Sequence, residues 1–114
     1  MKVDLARCAE RLSALGHEAR LAIVRLLLRA HPAGMVVSEL QRELGIAAST
    51  LSHHLDTLHR HGLVEQRREG KFLRYTADAT GLGSVLAFLV DECCSRSDLV
   101  PTDMLVGRKR TNEP

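Results

Sequence analysis

Between Leu44 and Leu63 the chain reads Leu-Gly-Ile-Ala-Ala-Ser-Thr-Leu-Ser-His-His-Leu-Asp-Thr-Leu-His-Arg-His-Gly-Leu, and this stretch constrains the fold more than any other. Leu51, Leu55 and Leu58 recur at i, i+4 and i+7, so one stripe of a helix faces a core. At about 100° per residue, Ser49, His53, Asp56 and Arg60 fall opposite that stripe, with Ser52 on its shoulder. Short hydroxyls and imidazoles can bond base edges in a major groove, and a guanidinium further along can reach a phosphate. Gly45-Ile46-Ala47 reads as the tight turn between two helices. The plainer alternative is a polar surface helix in a small bundle, and the segment that follows argues against it.

From Leu63 the period changes. Leu63 to Arg67 and Phe72 to Thr76 are short strand-like runs around Arg68-Glu69-Gly70-Lys71, a hairpin turn with Gly where a positive φ is needed. A hairpin directly after a groove-entering helix is a wing. Arg67, Arg68, Lys71 and Arg74 cluster around its tip, where they can meet phosphates or an adjacent minor groove.

The rest of the chain supplies helices. Leu5, Cys8, Leu12 and Leu15 give a first amphipathic helix over residues 4–15, closed by Gly16. A second, over about 18–30, carries Leu21, Val24, Leu27 and Leu28 inward, with Ile23 and Leu26 widening the stripe. A loop at His31-Pro32-Ala33-Gly34 precedes Ser38-Glu39-Leu40-Gln41, which reads as a capping box opening a short helix to Leu44. Ala47 stands where a Ser or Thr cap is expected for the next helix, a cost of roughly 1 kcal/mol. A last helix over about 83–94 aligns Leu82, Val85, Leu86, Leu89 and Cys93, with Phe88 and Val90 alongside.

The expected fold is mainly α with a small β-hairpin, a winged helix-turn-helix in the order α-α-α-α-β-β-α. Residues 1–95 form that domain and 96–114 a flexible tail with two Pro and the basic run Arg108-Lys109-Arg110. The apolar faces of the first and last helices are most economically buried against a second copy.

Composition agrees. A chain of 114 residues, 45% apolar but only 3% aromatic, makes one modest core of aliphatic side chains. Sixteen basic and 14 acidic residues leave +2, compatible with a nucleic-acid partner without requiring one. The longest apolar run, Leu21 to Leu28, is interrupted by Arg25 and is too short for a bilayer. The N-terminus lacks a signal-peptide core, and three Cys make no secreted disulfide framework, so a cytoplasmic protein with reduced thiols and no membrane association is expected.

Three segments together carry a resemblance: Ala14-Leu15-Gly16-His17-Glu18-Ala19-Arg20-Leu21-Ala22-Ile23-Val24; Ser49-Thr50-Leu51-Ser52-His53-His54-Leu55; and Gly62-Leu63-Val64 with Arg67-Arg68-Glu69-Gly70-Lys71. Over about residues 5–94 the chain is similar to the ArsR/SmtB family of metal- and metalloid-responsive repressors. The resemblance implies a homodimer joined through its first and last helices. It further implies binding to an imperfect palindrome in duplex operator DNA, with release when an effector binds. It places Ser49, Ser52 and His53 at base- or backbone-contacting positions, Arg67, Arg68 and Lys71 in the wing, and Val37 where some members touch phosphate through the backbone. Ala48 stands where several members have Gln, which removes one base contact common in the family. His54 lies nearer the buried side and is expected to pack internally.

The effector must be argued from the ligands present. The family's Cys-Val-Cys arsenic motif is absent from Met35-Val36-Val37-Ser38-Glu39-Leu40, and the zinc-type site fails because the last helix has no His. Asp91 and Glu92 read as a solvated face. Cys93 and Cys94 remain, with Cys8 on the first helix: a soft set suited to trivalent arsenic. Some family members bind arsenite or organoarsenicals through a vicinal Cys pair in this helix. A monomethylated arsenic needs two thiolates, and arsenite would take Cys8 as a third. No obligatory cofactor and no enzymatic activity are expected. A redox or reactive-sulfur switch at the same thiols and a sensor of cadmium, lead or antimony are the alternatives. A thiol oxidoreductase is disfavoured by the lack of Cys-x-x-Cys. A winged helix that binds only protein would make the Ser/His face and basic wing accidental.

Overall fold

The computed structural model describes residues 4–94. Asp4 caps the first helix, its Oδ1 accepting the Arg7 N–H at 3.2 Å, and α1 runs Leu5–Leu15. His17 caps the second in the same way, Nδ1 accepting the Ala19 N–H at 3.2 Å, and α2 runs Glu18–Arg29. Next come β1 (Met35–Val36), α3 (Val37–Leu44), α4 (Ala48–Arg60), β2 (Val64–Glu69), β3 (Phe72–Ala77) and α5 (Ala79–Cys94). Five helices and an antiparallel hairpin form the winged helix-turn-helix expected from the sequence.

The core is aliphatic. Ile23, Val24 and Leu27 from α2, Leu40 from α3, and Leu51, Leu55 and Leu58 from α4 close on Leu63, Val64, Tyr75 and Ala77. Leu21 and Leu28, expected inward, are instead about half exposed. Apolar residues occur nearly all round α2, and the side chosen by packing is that of Ile23, Val24 and Leu27, which leaves Leu21 and Leu28 on the far side. Leu5, Leu12, Leu86 and Leu89 are also exposed, at 67%, 40%, 62% and 45%. Among the described residues nothing therefore covers these leucines on the apolar faces of α1 and α5.

Four features of the element layout differ from expectation. A third strand, β1, pairs antiparallel with β3 through Met35↔Tyr75 and Val36↔Arg74, giving the order β1-β3-β2. Two residues are too few to show a period of two. That pairing fixes the chain before α3, which begins at Val37, with Val36 as N-cap and Glu39 Oε1 accepting the Val36 N–H at 3.0 Å. Ser38, expected to be the cap, lies one residue inside the helix, and Glu39 rather than Gln41 is the reaching side chain. The hairpin turn is tighter than expected: Glu69 pairs with Phe72, leaving only Gly70, at φ +62°, and Lys71 between the strands.

α5 starts four residues early, because Asp78 Oδ1 accepts the Gly81 N–H at 3.0 Å and opens the helix ahead of Gly83. Gly81 is buried where α5 crosses the end of α4, and a Cβ there would collide with the Gly62 carbonyl oxygen. Arg11 ties the same corner, its Nε donating 2.9 Å to the His61 carbonyl and its Nη1 to Ser84 Oγ. Cys93 and Cys94 are the last residues of α5; their side chains, and the tail expected over 96–114, lie outside the described part. Gly81→Ala should lower stability by about 1–3 kcal/mol in urea unfolding, because the obstructing atom is backbone and cannot swing aside. Gly83→Ala, with open space around it, should not destabilise.

Candidate nucleic-acid interface

α4 is held from one side by Leu51, Leu55 and Leu58, each no more than 1% exposed. Side-chain position on the remaining surface follows from that anchoring. Ser49, Ser52, His53, Asp56 and Arg60 are all exposed on it, as the wheel requires. Ser49 and Ser52 make no side-chain hydrogen bond among the described residues, so their hydroxyls are available to a ligand. Ala47, the N-cap, supplies no side-chain acceptor, which leaves the first amides of α4 unsatisfied by a cap.

Arg60 is less free than its exposure suggests. Its Nε stands 3.2 Å from Asp56 Oδ2 and its Nη2 3.4 Å from Thr57 Oγ1, one turn back on the same helix. Such an exposed i, i+4 pair contributes only about 0.3–0.5 kcal/mol, so a phosphate can compete for the guanidinium. His54 points the other way: it is buried, within hydrogen-bonding distance of Arg20 and beside the ring of His17. This is the internal role expected for it.

The wing brings its cations together around one carboxylate. Arg67 and Arg74 stand directly opposite each other across β2 and β3, a like-charge pairing that would be repulsive alone. Glu69 bridges them: Arg74 Nε donates to Oε1 at 2.9 Å, and Arg67 Nη2 to Oε2 at 2.7 Å. Arg74 first, then Arg67, hold the Glu69 carboxyl below its ordinary range, and Glu69 in turn raises the Arg74 pKa. The bridge is therefore intact at neutral pH and is lost only as acid protonates Glu69. Arg68 reaches the Gly70 carbonyl at 3.4 Å, and Lys71 occupies the turn, fully outside the Glu69 bridge. The wing tip thus presents Arg68 and Lys71 as its freer charges, with Arg67 partly neutralised.

Between the end of α4 and the wing lies an open groove of about 420 Å³ lined by His59, Glu65, Gln66, Arg67 and Thr76. Gln66 is fixed there by the Tyr75 hydroxyl, which donates to its Oε1 at 2.9 Å. The structure thus places Ser49, Ser52, His53 and Arg60 on one helix face and Arg67, Arg68 and Lys71 on the adjoining wing.

Sequence reasoning missed the Glu69 bridge and the partnership of Arg20 with His54. The first has a local signal: residues 67 and 69 alternate onto one face of a strand. The second has none, since 34 residues separate the partners.

The thiols are a different matter. Cys8 is buried, 6% exposed, and free. Among the described residues no three His, Cys, Asp or Glu side chains are grouped to hold a metal ion. None of the described helices is long and apolar enough to cross a membrane.

Comparison with known proteins matches residues 15–67 to a family described as a helix-turn-helix domain. The chain is 34% identical over 89 residues to the transcriptional activator HlyU of Vibrio cholerae, spanning 78% of this chain and 80% of that protein. The solved structure of that HlyU superposes with a TM-score of 0.65 at 33% identity, covering 82% of this chain and 99% of that one. A structure of reduced HlyU gives 0.62 at 34% identity, covering 78% and 90%. A putative arsenical resistance operon repressor of Halobacterium salinarum is 39% identical over 72 residues, 61% of this chain and 54% of that protein. A homodimeric winged helix-turn-helix DNA-binding domain from Mycobacterium bovis, a possible ArsR-family regulator, superposes with a TM-score of 0.63 at 25% identity, covering 95% and 90%.

Two changes test the interface. Ser52→Ala with His53→Ala should abolish specific duplex binding while leaving thermal stability unchanged, read by fluorescence anisotropy and calorimetry; retained specific affinity would remove α4 from the interface. Glu69→Gln should free Arg67 and Arg74, raising affinity for any duplex and steepening the log–log salt slope by about 1.

Proposed function

Because this chain belongs to the ArsR/SmtB-type family of winged helix-turn-helix transcriptional regulators, we propose that it is a homodimeric repressor that releases its operator when trivalent arsenic binds its cysteine thiolates. The DNA-binding half of this reading is carried by one observation: α4 buries its leucines and leaves Ser49, Ser52 and His53 exposed beside a wing bearing Arg68 and Lys71. Hydroxyls and an imidazole read base edges, while the wing and Arg60 meet phosphates. The dimer is supported by the uncovered Leu5, Leu12, Leu86 and Leu89 on α1 and α5, and by the homodimeric Mycobacterium bovis relative. Burying such faces gains about 25 cal/mol per Å² of apolar surface.

The effector half rests on the donor set. Cys93 and Cys94 end α5, one of the two helices with uncovered apolar faces, so a ligand there acts directly on the subunit contact. Chelation by adjacent residues needs the last turn to loosen, since neighbours on an ideal helix diverge by about 100°. Cys8 is shielded within a single chain, so a two-thiolate ligand such as methylarsenite demands less rearrangement than three-thiolate arsenite. The likeness to a putative arsenical resistance repressor favours the same chemistry.

A second reading keeps the DNA-binding dimer and makes the vicinal thiols an oxidation switch. The likeness to HlyU, for which a reduced form is specified, favours it.

One titration separates the two. A fluorescent duplex carrying the DNA upstream of the protein's own reading frame is released by arsenite or methylarsenite in the arsenic reading, and by diamide alone in the oxidation reading. Cys93→Ser or Cys94→Ser should abolish release without weakening DNA binding. Cys8→Ser should abolish the arsenite response if Cys8 is the third ligand, and leave methylarsenite release intact. Indifference of the duplex complex to every one of these reagents would overturn the thiol-sensor reading.

A further inference from the structure

One polar side chain of the groove-facing helix is buried: His54, 7% exposed and turned away from that helix's exposed side. Arg20 reaches it from α2, with Nη1 3.3 Å from His54 Nδ1. The same guanidinium donates through Nε to the Ala14 carbonyl at 2.7 Å, near the end of α1. A guanidinium offers no acceptor, so Nδ1 must be the accepting atom. The imidazole is then neutral, with its proton on Nε2. Arg20 thereby joins the end of α1 to α4 through α2.

The surroundings favour that neutral form. His17 of α2 lies with its ring centroid 4.6 Å from that of His54, and His53 of the same helix at 6.0 Å. The ionisable groups facing His54 are all basic: His17 and Arg20 from α2 and His53 from α4, while α1 offers only the Ala14 carbonyl, reached through Arg20. Burial first, then His17, Arg20 and His53, lower the His54 pKa from its ordinary 6.5.

We propose that His54 is a positioning residue for DNA binding that works only as a neutral acceptor, seating α4 on Arg20 and losing that seat when protonated. The inference rests on the DNA-binding reading above and does not depend on the effector. When Nδ1 takes a proton from solvent, Arg20 loses its acceptor and confronts a second cation at hydrogen-bonding distance. Arg20 retains the Ala14 carbonyl, so the tie opens on the α4 side, next to Ser52 and His53. Linkage has the matching sign. A base whose folded pKa lies below its unfolded value leaves stability intact above 6.5 and withdraws it as pH falls through the lower folded value.

His54→Asn isolates the device, because its carboxamide oxygen can replace Nδ1 as an acceptor at every pH. Affinity of the full chain for the same upstream duplex is measured for both proteins from about pH 7.5 down through the His54 midpoint that NMR gives. The ratio of His54→Asn to wild-type affinity should rise as pH falls below the wild-type His54 midpoint, approaching about tenfold for each further pH unit, as a required neutral group demands. A ratio that stays flat through the His54 midpoint would overturn the proposal.

NMR of the wild-type protein gives a measurement independent of any substitution. The Nε2–H tautomer is expected near neutrality, with a midpoint below 6.5 and loss of α4 amide protection through the same transition. Titration at or above 6.5, with α4 protection unchanged, would overturn it equally. The two failures are distinguishable: absence of wild-type duplex binding at about pH 7.5 defeats the DNA-binding reading, whereas binding with a flat ratio defeats the His54 seat.

Discussion

The burial of Leu51, Leu55 and Leu58 is the interaction on which the rest of the molecule depends. A 13-residue helix is marginal on its own in water, and α4 has no side-chain cap to help it. Its stability is tertiary, at about 1.5–3 kcal/mol for each fully buried leucine. Three leucines on one stripe fix the rotation of α4 about its axis, and that rotation alone puts Ser49, Ser52 and His53 outward. The interface is thus a by-product of the core: whatever holds the leucines in place also aims the hydroxyls.

Electrostatics adjust that frame locally. Two of the exposed cations are partnered on their own elements, Arg60 by Asp56 and Arg67 by Glu69. These exposed pairs hold little energy, but they preset side-chain directions and lower the net field, which fits a protein whose charge excess is only +2. Arg68 and Lys71, beyond the reach of Glu69, concentrate positive charge at the tip of the hairpin. A duplex would meet a helix face that is polar and nearly neutral, flanked by a basic projection. The first suits sequence reading and the second suits phosphate attraction.

Arginines of the first two helices connect the interface to the rest of the chain. Arg11 joins α1 to the end of α4 and to α5, while Arg20 joins the end of α1 to the middle of α4. The middle and the C-terminal end of α4 are consequently tied to helices whose outer leucines are uncovered. A change in how α1 and α5 meet a second subunit has a short, hydrogen-bonded route to the groove-facing residues.

Much of this was written in local patterns. Heptad-like leucines, the Gly45 turn and the change of period after Gly62 specified the helix-turn-helix and the hairpin, because a helix or strand shows its buried face as a repeat along the chain. They also specified which face of α4 is polar, and that His54 belongs to the other. What the sequence could not determine was chosen by contacts between distant residues. The side of α2 that enters the core, the two-residue strand β1, the early start of α5 over Gly62, and the pairing of Arg20 with His54 carry little or no periodic signal. Each depends on atoms brought together from separate parts of the chain, and only the packed tertiary structure decides which of them meet.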